Sequence, residues 1–79
     1  MELNGTEKQV KWAKDIIERR EGEVRDSGLK NPAHADIIIG VLKTEMSRAD
    51  EWIDTRTLSI RALMGYYKTQ IIAAIKAAN

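Results

Sequence analysis

The chain has 79 residues, 43% of them hydrophobic and 32% charged, with no cysteine and a formal net charge of +1. That length holds one domain, too small to fold without good packing or a partner. The absence of cysteine excludes disulfides and thiol chemistry and fits a reducing cytoplasm. No run reaches the length of a transmembrane span, and no basic start leads into an apolar core, so neither a membrane anchor nor a signal peptide is expected.

In chain order, the opening residues up to Gly5 are expected to be loose. A first helix is predicted over about 7–25. Thr6 is its N-cap, and Gln9 at the third helical position reaches back to complete a capping box. Val10, Ala13, Ile17 and Val24, with Ile16 and Arg20 beside them, share one face, and Trp12 lies at its edge. Asp26-Ser27-Gly28 ends the helix, with Gly28 suited to the left-handed conformation, and Leu29 and Lys30 form a short link.

Asn31-Pro32 starts a second helix, predicted over about 32–53, with Asn31 as N-cap. Ile38, Leu42, Met46, Ala49 and Ile53 form its apolar stripe, widened by Ile37, Ile39 and Val41. The run Ile37-Ile38-Ile39-Gly40-Val41 also resembles a buried strand, but no partner strand exists in the chain. Ser47-Arg48-Ala49-Asp50 reads as another capping box and so signals a break near Ser47. Asp54-Thr55-Arg56-Thr57 is a turn. A third helix follows over about 58–77, with a stripe of Ile60, Leu63, Met64, Tyr67, Ile71, Ala74 and Ile75. Gly65 within it is expected to permit close helix approach. The fold class is therefore all-α, a small antiparallel three-helix bundle spanning 1–79 as one domain. The very apolar stretch 37–42 makes a homodimer conceivable.

A resemblance enters at two segments. Thr6-Glu7-Lys8-Gln9, followed by Trp12-Ala13 and Ile16, resembles the Gly-Ser/Thr-Glu-Lys-Gln, Trp-Ala, Ile opening of small proteins encoded by phages and mobile elements of bacteria. Members often carry a later Trp-Ile-Asp-Asn-Arg segment. Here it reads Trp52-Ile53-Asp54-Thr55-Arg56, departing at Thr55. The resemblance covers under a quarter of the chain, and it implies a genomic setting and no particular chemistry. The same Glu-Lys-Gln helix start also occurs in small helical modules attached to DNA-handling proteins.

Few residues offer chemistry. His34 and Asp36, two apart on a helix, point to different faces, and there is no second histidine. Asp50 and Asp54, or Glu51 and Asp54, share a face at spacings that can bind Mg²⁺, but a solvated charged face is the default for such pairs. With no nucleophile and no phosphate loop, the chain is expected not to be an enzyme and to need no cofactor or metal. Lys8, Lys11 and Lys14 form a short basic row, and Arg61, Tyr66 and Lys68 add charge and an aromatic in the third helix. These six are the candidate partner-binding residues, with Tyr66 able to stack on a base. The acids Glu7, Asp15 and Glu18 dilute the row, and the pI of about 8.0 is below that of a typical nucleic-acid module. Trp12 and Trp52 are expected in the core, the alternative being that one is exposed as an interface anchor, with Arg56 stacked on Trp52 and Asp54 and Arg56 bracing the turn.

The functional expectation is a non-catalytic interaction protein, located in the cytoplasm of a bacterial host, that occludes a protein or ribonucleoprotein. An inhibitor of a host defence system, in the manner of an anti-CRISPR, is one version. The alternative is a nucleic-acid-binding accessory protein.

Overall fold

A computed structural model describes residues 3–29 and 31–78; the expectations for Met1, Glu2 and Lys30 lie outside those residues. The chain forms an all-helical bundle: α1 (Glu7–Arg25), α2 (Ala33–Glu45), α3 (Ala49–Asp54), α4 (Ile60–Tyr66) and α5 (Lys68–Ala78). Among the described residues no helix is long and apolar enough to cross a membrane.

The first helix forms as its sequence dictates. The Thr6 hydroxyl accepts from the Gln9 N–H at 3.2 Å, and the Gln9 side chain accepts from the Thr6 N–H at 3.1 Å. Two otherwise orphaned donors are thereby satisfied. Thr6→Ala should cost about 1 kcal/mol; a melting temperature equal to the parent's would show that the box contributes nothing. Gly28 adopts φ +79° just past the helix end, as its position after Asp26-Ser27 implies.

Residues 3–5 are not loose. The Asn4 N–H donates to the Ser47 carbonyl at 3.1 Å, and the Asn4 carbonyl accepts from the Ala49 N–H at 2.9 Å, a short parallel bridge. Gly5 lets this segment lie close: a Cβ there would sit 3.0 Å from the Ala49 Cβ. Leu3 packs against the core beside it.

The bridge also explains the break near Ser47. Ser47 caps nothing; Arg48 holds the N-cap position of α3 in extended conformation, without a side-chain cap. The first N–H of α3 is satisfied by Asn4 instead. Two ion pairs, Lys43 with Glu21 at 3.1 Å and Arg25 with Asp36 at 2.9 Å, show α2 running antiparallel to α1. The second is exposed and the first half-buried, and such solvated pairs contribute little energy. The helix starts at Ala33, with Pro32 and not Asn31 in the N-cap position, although the Asn31 side chain accepts from the Ala33 N–H at 3.0 Å.

The expected third helix is also split. Ser59 is the N-cap, accepting from the Ala62 N–H at 3.1 Å, so the helix begins at Ile60 and Leu58 stays in the connection. At Tyr67 the backbone turns to φ −104°, ψ 21°. The two halves then serve different partners: α4 packs on α1, and α5 packs on α2. Gly65 has no neighbour within reach of a Cβ, so it permits no close approach; its place before two aromatics, all weak helix formers, fits the break.

The core gathers Ala13, Ile16, Ile17 and Val24 of α1, Ile38, Ile39 and Leu42 of α2, then Met46, Trp52, Leu63 and Ile71. Of the apolar stretch 37–42, Ile38, Ile39 and Leu42 are thus buried within one chain, with Ile37 and Val41 half-buried and Gly40 exposed. Ile71→Ala should cost about 2–5 kcal/mol; an effect near zero in urea unfolding would mean that α5 does not dock on α2 through this residue.

The two tryptophans part company. Trp52 is 1% exposed, and its indole N–H donates to the Met46 carbonyl at 2.8 Å, at the end of α2. Trp12 is 48% exposed, against the expectation of a core position. Arg56 lies over Trp12, 5.0 Å from the ring centre, and not over Trp52 as expected. Burial of Trp52 in the core leaves its face no room for a cation, whereas Trp12 lies exposed beneath Arg56 of the turn after α3.

Three arginines close the end of α3. Arg56 donates to the Ile53 carbonyl at 2.6 Å, Arg20 to the Thr55 carbonyl at 2.6 Å, and Arg19 to the Arg56 carbonyl at 3.0 Å. Cations suit the negative end of a helix. Arg56 does brace the turn as expected, whereas Asp54 remains exposed. The two segments that carry the family resemblance therefore meet, through Trp12 and Arg56.

Candidate functional site

The most distinctive surface is an apolar groove between α3 and the α4–α5 junction, of about 360 Å³. Met46 and Leu63, both buried, form its floor. Leu58 and Tyr66 form its exposed walls, 43% and 77% accessible. Tyr67 stands edge-on to Tyr66, with ring centres 4.8 Å apart and planes at 75°. The break at Tyr67 makes this possible, turning one tyrosine outward and the other partly inward.

Carboxylates line the same groove. Glu51 and Asp54 sit on its α3 side. Burial, then the charges of Glu51 and Glu45 and the neighbouring Tyr66, raises the Tyr67 hydroxyl above its usual titration range, so it remains a neutral donor. Among the described residues, neither Glu51, Asp54 nor Glu45 forms an ion pair.

A second, larger cleft of about 580 Å³ runs between α1 and α4 and contains Arg19, Glu23, Asp26 and Arg61. Its charges offset one another: Arg19 pairs with Glu23 at 3.9 Å and also holds the Arg56 carbonyl. No grouping of His, Asp or Glu able to hold a metal occurs among the described residues.

The six sequence candidates fall in different places. Lys8, Lys11 and Lys14 are exposed on the N-terminal half of α1, without ion pairs among the described residues. Arg61 lines the cleft beside the C-terminal half of α1. At 1.5 Å per residue, Lys8 lies about 16 Å along the helix from Arg19, where that cleft begins. Tyr66 belongs to the groove, beside acids rather than lysines. Lys68 is exposed at the start of α5.

Sequence reasoning missed Leu58, Met46 and Tyr67 as groove residues. The available signal was Leu58, a large apolar side chain directly after the polar turn Asp54-Thr55-Arg56-Thr57. Compared with protein-family models, curated proteins and solved structures, the chain gives no match.

Proposed function

We propose that this chain is a small non-catalytic interaction protein of the kind carried by phages and mobile elements, acting in the cytoplasm of a bacterial host. It binds a protein or ribonucleoprotein and occludes part of its surface. Inhibition of a host defence system, in the manner of an anti-CRISPR, is one concrete form.

The observation that carries this reading is the exposure of Leu58 and Tyr66 on either side of an apolar floor. Exposed aromatic and aliphatic anchors beside a pocket are typical of binding hot spots. The test is capture from bacterial lysate on the tagged protein, with and without nuclease. A defined protein partner that survives nuclease supports the reading; recovery of nucleic acid alone opposes it.

A second reading, a nucleic-acid-binding accessory protein, draws on the exposed lysines of α1. It predicts affinity that falls steeply with salt, by about 0.9 log units per log unit of salt for each phosphate contacted. Affinity insensitive to salt between low and physiological ionic strength excludes it.

A further inference from the structure

Resting on the interaction reading above, we propose that the groove between α3 and the α4–α5 junction is the docking surface, and that its occupant is a short segment of a partner protein presenting an apolar side chain flanked by lysine or arginine. Met46 and Leu63 offer the floor for the apolar group, and Leu58 and Tyr66 are the exposed walls that close over it. The volume, about 360 Å³, is at the small end of ligand pockets (~300–1,000 Å³) and accommodates a large side chain.

Charge selects the flanks. Glu51 and Asp54 line the groove, and among the described residues no lysine or arginine does. Arg48 forks onto Asp50 at 3.0 and 3.2 Å, Lys43 pairs with Glu21, and Arg56 covers Trp12. Lys68, the residue after Tyr67, does not line the groove. An acidic rim left uncompensated around an apolar floor favours a basic partner and rejects an acidic one. A second copy of this chain is a poorer occupant, because its own basic and apolar row, Lys68, Ile72 and Lys76, does not line the groove, and a two-fold pair would have to bring both patches into one interface.

The test uses two synthetic amphipathic helices of one pattern, one of leucine and lysine, the other of leucine and glutamate, titrated into the isotopically labelled protein. The lysine peptide should shift the backbone signals of residues 51–58 and 63–67 and leave Lys8, Lys11 and Lys14 unmoved. Leu58→Ser with Tyr66→Ala should weaken it at least about tenfold. Both positions are exposed, and an unchanged circular dichroism spectrum and melting curve verify that the variant folds. Glu51→Lys with Asp54→Lys should reverse the preference toward the glutamate peptide. The proposal is overturned if neither peptide binds, if the glutamate peptide binds the parent equally well, or if the shifts fall on α1. Concentration-dependent self-association abolished by the groove substitutions overturns it in favour of a second copy. A lysate partner retained by the Leu58, Tyr66 variant overturns the groove alone, whereas no captured partner at all overturns the underlying reading.

Discussion

Trp52→Ala should leave the protein at or beyond the limit of stability. Trp52 is among the largest fully buried side chains, and its indole N–H also closes the end of α2 on the Met46 carbonyl. Truncating a buried tryptophan costs about 3–5 kcal/mol. At roughly 0.05–0.15 kcal/mol per residue, a domain of 79 residues has about 4–12 kcal/mol in total. Thermal melting followed by circular dichroism should show a fall of at least about 15 °C, or no cooperative transition. Trp52→Phe separates the two roles. It keeps most of the volume and leaves the Met46 carbonyl without its donor, which should cost about 1–3 kcal/mol. A Trp52→Ala variant that melts within a few degrees of the parent would contradict this packing.

Arg20 carries the second large effect. It is 2% exposed, and its guanidinium donates to the Thr55 carbonyl at 2.6 Å and to Glu23 at 3.2 Å, while its Nε has no partner. Burying a charge is costly, so the bonds must be weighed against desolvation. Glu23 is partly solvated and also lies 3.9 Å from Arg19, so its loss of Arg20 is tolerable. The Thr55 carbonyl, just past α3, also accepts from the Leu58 N–H at 3.0 Å, so it keeps one partner without Arg20. Arg20→Ala should therefore cost about 2–4 kcal/mol, from the charge-assisted bond and the void together. Arg20→Met restores volume and should cost less, about 0.5–1.5 kcal/mol, because the Thr55 carbonyl loses the guanidinium but keeps the Leu58 N–H. Urea unfolding of the two variants reads the difference. An Arg20→Met variant as stable as the parent, or more stable, would mean that desolvation of the guanidinium outweighs its bonds.

Local chemistry was the legible part of this fold. The Thr6–Gln9 box, the end at Gly28 and the Asn31 side-chain bond to the Ala33 N–H each depend on neighbours within a few residues, and each forms. The break near Ser47 was visible as a polar interruption, but its cause was not: pairing with Asn4 spans more than forty residues of chain. The hydrophobic period could not tell Trp12 from Trp52, since both lie at the margin of an amphipathic face. Only the crossing of α3 over α1 buries one and leaves the other under Arg56. Arg20 sat visibly on the apolar face of α1, yet nothing local named the Thr55 carbonyl as its partner. For the candidate site, Tyr66, grouped in the sequence with Arg61 and Lys68, is exposed beside the groove acids instead. Its neighbours Glu51, Asp54 and Leu58 reach it only through the turn after α3 and the split at Tyr67, which no periodicity encodes.

The most direct test of the proposed role is lysate capture after nuclease treatment, run in parallel on the parent, on Leu58→Ser with Tyr66→Ala, and on Lys8→Ala with Lys11→Ala and Lys14→Ala. The groove reading predicts a protein partner retained by the parent and the lysine variant and lost by the groove variant. Retention by the groove variant with loss by the lysine variant, or capture that disappears with nuclease, would contradict it.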